Sequence, residues 1–392
     1  MQARGQTETT AVGITNKSPT AGMVPPATMN RGYYSWVDSL KGIGILLVVV
    51  GHVSQNGVLS RAIFSFHMPL FFILSGLLLS PKKCNATFFK KRFTRLLTPY
   101  FFFAFVTWLY WFLLERRFRP QSTSAVHSLA NIFLARGGTD NYPFNAPLWF
   151  LPCMFFASII MNVIMHTLNQ HFPQRSVQIA LIAIALAGVS ITYLFHMTLL
   201  PARIPFTLDI VPAALSFIAI GILAKQHVFM MADWFEGYAK SKHEGIAVRL
   251  CATALVAIAF LGLDYVVQSI HLQVDLNNLT ISNPLALLVT GMVGTLLTGV
   301  LSICLDSRIL RYLGQSSLTI MCVHEPIKRI VVRLMGIVTR MGDAPIRTEI
   351  PLILVAAMIT TALSLLVYAV MHRCVPAIIG ERIIRNEKTS ER

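Results

Sequence analysis

Ten apolar runs recur along the chain, near residues 39–56, 62–80, 96–114, 148–166, 178–196, 208–224, 250–268, 284–304, 317–337 and 350–371. A helix rises about 1.5 Å per residue and bilayer hydrocarbon is about 30 Å thick, so most of these runs match one crossing. Hydrophobic residues make up 55% of the 392 and charged residues only 13%, leaving too little polar surface for an ordinary soluble domain. The same figures exclude a coiled coil, a disordered chain and a disulfide mini-protein. The expected fold is therefore all-α, a polytopic membrane protein with about ten transmembrane helices. Two runs are interrupted by charge: the first holds Lys41 and His52, and the ninth holds His324, Lys328, Arg329 and Arg333.

Net charge is +16, from 33 Lys plus Arg against 17 Asp plus Glu. In a chain this apolar the excess reads as anchoring of cytoplasmic loops against membrane lipid, and no nucleic-acid partner is expected. With an even number of spans, 21 basic residues fall on one side and 8 on the other, so both termini are expected in the cytoplasm and the protein in the inner cell membrane. The longest outer segment, 115–147, contains Arg116, Arg117, Arg119 and Arg136 and fits this rule worst, as a lid or binding loop would. Residues 1–33 are polar, rich in Thr, Gly, Pro and Ala, and do not read as a cleavable signal peptide; they are expected to form a disordered cytoplasmic tail. Residues 376–392 read as a basic cytoplasmic tail. The six cysteines form no CxxC pair and lie mostly in or beside apolar runs, so neither a disulfide framework nor a metal site is expected.

An ionisable side chain inside a membrane helix is costly, which makes each one a functional candidate. In the first run, eleven residues from Lys41 to His52 amount to about three turns and 16 Å, which puts both on one face. Asp38 lies three residues before Lys41 and shares that face. An interfacial Asp38–Lys41 ion pair, with His52 hydrogen-bonded to a neighbouring helix, accounts for the same pattern. Gly42, Gly44 and Gly51 let another helix or a ligand come close. His67 and Pro69 open the second run, where His67 either faces His52 or caps its own helix. Lys82, Lys83, Lys90, Lys91, Arg92 and Arg95 crowd the following inner loop; Arg92 and Arg95, at i, i+3, suit bidentate capture of phosphate, and ordinary lipid anchoring is the alternative.

Further along, Trp149 can stack on a sugar ring or anchor at the interface, and Asp209 can bind a sugar or pair with Arg203. His324, Glu325, Lys328 and Arg329 form a polar cluster that either neutralises itself or lines an acceptor site. No Gly-rich phosphate loop, GxSxG elbow, HExxH or EF-hand pattern is present in the sequence.

Lys41 with ten residues before His52, the Phe71-Phe72-Ile73-Leu74-Ser75-Gly76 segment, the Arg92-x-x-Arg95 pair followed by Leu96-Leu97-Thr98-Pro99-Tyr100, and Leu148-Trp149-Phe150-Leu151 together resemble the acyltransferase-3 family of integral-membrane acyltransferases. The wording of the first two motifs is closest to the fucose 4-O-acetylase-like branch. The resemblance covers about 34–375, expected to be the membrane acyltransferase domain. It implies a ten-helix enzyme that moves an acyl group, usually acetyl, from cytoplasmic coenzyme A to a carbohydrate hydroxyl, with acetyl-CoA as donor and no metal. By position, His52 matches the histidine essential for transfer, Lys41 the basic residue paired with it, and Arg92 and Arg95 the pair associated with the donor. This chain has Lys where the family also uses Arg. The hydrolase-like domain fused to some members is not seen in the sequence, so handling of the acceptor by such a domain is expected of a separate protein.

The expected partners are a carbohydrate or lipid-linked glycan acceptor and membrane lipid. Substrate contacts are assigned to Asp38, His67, Trp149 and His324. A thioester is a good donor and a sugar hydroxyl a poor nucleophile, so His52 is expected to act as general base or to carry the acyl group itself. A transporter or flippase for a polar or lipid-linked solute is the reading from another class.

Overall fold

A computed structural model describes residues 34–118, 124–198, 203–239 and 244–380. The tail expected over 1–33, residue Arg119 and the end of the basic C-terminal tail lie outside the described residues. From Ser35 onward the chain forms one compact unit.

Every one of the ten apolar runs is helical. Helix α1 spans Ser35–Val53, α2 Gly57–Phe64, α3 His67–Leu77, α4 Ala86–Leu113, and the short α5 Ala125–Leu134. Then follow α6 Phe150–His171, α7 Gln174–Thr198, α8 Val211–Ala239, α9 Glu244–Ser269, α10 Pro284–Cys304, α11 Arg308–Gln315, α12 Ser317–Val338, α13 Asp343–Thr348 and α14 Ile350–Cys374. Between α9 and α10 lies a two-stranded antiparallel hairpin, β1 Val274–Asp275 and β2 Thr280–Ile281. Among the described residues nine helical segments are long and apolar enough to cross a membrane, α2 and α3 counting as one. The remaining run is α12, which has the length and carries the charges already noted.

Local chemistry explains where helices depart from the apolar runs. The first ends at Val53 rather than 56 because the Asn56 side chain accepts from the Val58 and Leu59 amides and starts α2 there. The second run, expected to be continuous over 62–80, breaks at Ser65–Phe66. Pro69 has no N–H for the Ser65 carbonyl four residues back, and Thr290 Oγ1 donates to that carbonyl instead, at 3.4 Å. The third helix starts ten residues before its apolar run, at an Asn85 cap that accepts from the Phe88 amide at 2.9 Å. The basic loop residues Lys90, Lys91, Arg92 and Arg95 are therefore helical.

Helix α1 is largely enclosed by other helices. Ile45, Val48, Val49 and Val53 are fully buried, and the helix contacts α2, α3, α10, α11, α12 and α14. At Gly42 the backbone of α11 passes so close that an added Cβ would strike the Leu310 carbonyl, and Gly314 lies as close to the Asp38 carbonyl. By contrast α9 exposes Leu250, Leu255, Ile258 and Leu261, the surface a lipid-facing helix presents. Hydrogen bonds sort the connections into two ends. Near the start of α1, Ser35 and Ser39 donate to Asp306, at 2.7 and 2.5 Å. Near its finish, the Gln55 amide donates to the Arg347 carbonyl and Asn56 Nδ2 to the Thr348 carbonyl, at 2.7 and 3.1 Å.

Candidate functional site

The two ends of α1 carry the two groups of candidate residues. At the start, Lys41 Nζ donates to Asp38 Oδ1 at 2.9 Å, the pair that the i, i+3 spacing allows, and Gln315 Nε2 reaches the other Asp38 oxygen at 3.3 Å. Arg92 lies half-buried over the Phe88 ring, 5.6 Å from its centroid, and Arg95 is exposed. Neither guanidinium meets a carboxylate among the described residues, and no hydrogen bond or ring contact there joins either one to Lys41 or His52.

His52 occupies the last turn of α1. Its ring lies 5.2 Å from that of His324 and 5.9 Å from that of Phe64, centroid to centroid. It faces other helices rather than lipid, and makes no side-chain hydrogen bond among the described residues. The carbonyls of His52 and Val53, unpaired as the end of a helix requires, accept from Lys328 Nζ at 3.2 Å and Arg347 Nε at 3.1 Å.

His324 and His67 are held alike. Each occurs as His-x-Pro, in His67-Met-Pro69 and His324-Glu-Pro326, and each Nδ1 lies 2.9 Å from the carbonyl four residues back, at Ile63 and Ile320. A carbonyl only accepts, so Nδ1 carries the hydrogen and Nε2 of the neutral ring is left as an acceptor. Nε2 of His324 is buried and has no hydrogen-bond partner among the described residues. The His67 ring lies 5.1 Å from Phe64, which thus touches both His52 and His67. Pro326 leaves the Cys322 carbonyl without its helical donor, and Asn145 Nδ2 supplies one at 2.8 Å. That bond sets the Ala146–Trp149 turn against α12; Trp149 is buried there, edge-on to Phe150 at 6.1 Å.

Beside His324, Glu325 receives Lys328 Nζ at 2.8 Å on each oxygen and Arg329 Nε at 3.2 Å. Arg329 also donates to Glu115 at 2.9 Å and to the Pro143 carbonyl. Two carboxylates and two cations thus neutralise each other in a buried network, each part of which is hydrogen-bonded. Single ligand-type atoms of His52, His324 and Glu325 fall within 4.8 Å of one another, a spacing that a cation can bridge. The Lys328 ammonium already holds both oxygens of that carboxylate, and its charge opposes a divalent ion.

The structure brings together Asp38 with Lys41, and His52 with His324, while no hydrogen bond, ion pair or ring contact among the described residues joins Arg92, Arg95 or Trp149 to either pair. Asp209 is bonded to Arg203 at 2.6 Å, the pairing weighed against a sugar contact. Sequence reasoning missed Glu115, Arg347 and Phe64. Glu115 was legible only as one of two acids, with Asp140, in an outer segment that holds four arginines, and Phe64 carried no signal.

The architecture is that of a multi-pass membrane protein whose interior holds an unbonded imidazole beside a neutralised charge network. A family model described as an acyltransferase domain matches residues 34–369, and the chain belongs to that acyltransferase-3 family of membrane acyltransferases. No curated protein and no solved structure matches the chain.

Proposed function

We propose that this protein is an O-acetyltransferase of the fucose 4-O-acetylase-like branch, taking acetyl from cytoplasmic acetyl-CoA to a hydroxyl of a cell-surface, exported or lipid-linked glycan. The observation that carries the reading is the His52 ring: half-buried among helices, free of side-chain hydrogen bonds among the described residues, and at the far end of the helix that begins with Asp38–Lys41. In this reading the Lys41 end faces the cytoplasm of an inner-membrane protein and both termini lie on that side.

Arg92 and Arg95 suit the donor because both are cationic, accessible and unpaired with acids among the described residues; they hold the nucleotide phosphates. Lys41 steers the pantetheine arm toward the groove along α1. At His52 the imidazole takes the proton of the acceptor hydroxyl, the new O–C bond forms as the C–S bond breaks, and the proton ends on the departing thiolate. In the covalent variant, a His52 ring nitrogen attacks the thioester, its N–C bond forming as C–S breaks and coenzyme A leaves as thiolate; the hydroxyl then attacks, O–C forms as N–C breaks, and its proton ends on the thiolate. His324, with its bare Nε2, and His67, Trp149 and Asp38 line the substrate path. The charge network beside His52 supplies fixed dipoles without a net charge that would repel a developing oxyanion.

Detergent-purified protein is expected to bind acetyl-CoA and hydrolyse it slowly, whereas a transporter or flippase would leave the thioester intact. Surface glycans from a strain lacking the protein are expected to lose O-acetyl groups. Unchanged glycans would remove the carbohydrate assignment and leave the donor untouched.

A further inference from the structure

At the His52 end of the fold lies a cleft of about 590 Å³. Ser60, Arg61 and Phe64 line it from α2, and His271, Asp275 and Thr280 from the hairpin and its approach. Gln268 Nε2, at the end of α9 that leads into the hairpin, ties that helix to α2 by donating to the Val58 carbonyl at 3.0 Å. Phe64 belongs to this wall and also to the histidine cluster, since its ring lies 5.9 Å from His52 and 5.1 Å from His67. It can lie there because Gly51 has no side chain: a Cβ on Gly51 would come 2.9 Å from the Phe64 ring.

The lining has a definite chemistry. Arg61 uses Nε on the Gly57 carbonyl at 3.0 Å, which leaves its two terminal nitrogens unengaged among the described residues. Asp275 accepts from the Asn278 amide and Nδ2 at 3.2 and 2.7 Å, and each oxygen keeps a further lone pair. Arg61 and Asp275 form no ion pair with each other among the described residues. A donor fork, a carboxylate, an imidazole and hydroxyls beside one aromatic ring suit a ligand with alternating hydroxyls and an apolar face. The carboxylate disfavours a phosphate or other anion. His271, at a left-handed φ of 47°, ends α9 with the Leu272 amide bonded back to the Val267 carbonyl at 3.0 Å, and so turns the chain into the hairpin wall of the cleft.

We propose that this cleft is the acceptor subsite and that it takes a saccharide, with the sugar ring against Phe64 and a hydroxyl directed past it to His52. Donor and acceptor then enter from opposite ends of α1. The proposal rests on the acetyltransferase reading above, and the test separates the two.

Thr280→Cys protein is treated with a bulky, membrane-impermeant maleimide. Acetyl-CoA hydrolysis and label transfer from [14C]acetyl-CoA to glycan are then followed in membranes that contain the acceptor. Blocking the cleft is expected to abolish transfer while hydrolysis continues. Wild-type protein given the same reagent, with its exposed Cys251 and Cys374, is expected to keep both. Transfer that persists after labelling, or loss of hydrolysis together with transfer, overturns the proposal. Arg61→Gln provides a version without labelling: KM for the glycan should rise at least about tenfold, the loss of a charged hydrogen bond, with the rate of hydrolysis unchanged. An Arg61→Gln protein with wild-type KM counts against the cleft. Methyl α-fucoside and methyl α-glucoside serve as probes independent of the donor, and at least one should slow maleimide labelling of Thr280→Cys. If purified protein neither binds nor hydrolyses acetyl-CoA, the donor reading fails, and sugar protection still decides the cleft: protection by neither glycoside overturns it.

Discussion

At its Ser35 end, α1 carries one ion pair, Asp38–Lys41, with the Lys41 side chain 27% exposed, and Arg92 and Arg95 on α4 have no acid partner among the described residues. At its Val53 end the balance is reversed: Lys328 pairs with Glu325, and Arg329 with both Glu325 and Glu115, and the side chains are 7–14% exposed. The first arrangement leaves positive charge available to a ligand. The second uses up its charge and so fixes what stands next to it, including the His52 carbonyl on Lys328 and the His324 ring. A site that binds a flexible anionic donor needs accessible cations, and one that moves a proton or an acyl group needs fixed geometry, so the contrast is the one that the proposed function requires of its two ends.

That contrast sets the order of expected effects. Glu325→Ala strips the acid from two buried cations and should cost about 3–5 kcal/mol, read as a lower thermal unfolding midpoint of the purified protein. Adding Lys328→Met should recover part of the loss, and no recovery would mean that the network is not what holds the region. Replacing both Arg92 and Arg95 by Ala should raise KM for acetyl-CoA by about 10²- to 10⁴-fold, at about 1.5–3 kcal/mol for each of two charged hydrogen bonds, with kcat little altered. A drop in kcat with KM unmoved would assign the arginines to a different step. Gly42→Ala tests whether the open electrostatics at the Lys41 end mean loose packing. A methyl group driven against the Leu310 carbonyl should destabilise by about 1–3 kcal/mol, and a neutral substitution would show that the α1–α11 seam yields. Lys41→Met is the mildest for folding, at about 0–1 kcal/mol for a partly exposed pair, so a fall in transfer by this variant at normal stability would locate Lys41 on the donor path.

Much of this was legible from single-sequence periodicity. The runs at 284–304, 317–337 and 350–371 became helices with nearly those limits, and i, i+3 spacing gave Asp38–Lys41. Close approach at Gly42 follows from its place in an apolar helix. What escaped was pairing at long range. Lys328 meets the His52 carbonyl across 276 residues and Arg329 meets Glu115 across 214, and no local spacing encodes such a meeting. The break between α2 and α3 was accessible in principle, because Pro69 denies the Ser65 carbonyl its donor. The same reasoning at Pro326 shows that Cys322 needs an outside donor, without telling that Asn145 provides it.

The central claim is that acyl transfer passes through the His52 imidazole. Purified His52→Ala protein, folded by the criterion of a wild-type unfolding midpoint, should be assayed for transfer from [14C]acetyl-CoA beside the wild type. A fall of about 10²–10⁴-fold, with acetyl-CoA binding retained, is the outcome that the account predicts. Transfer at the wild-type rate would contradict it.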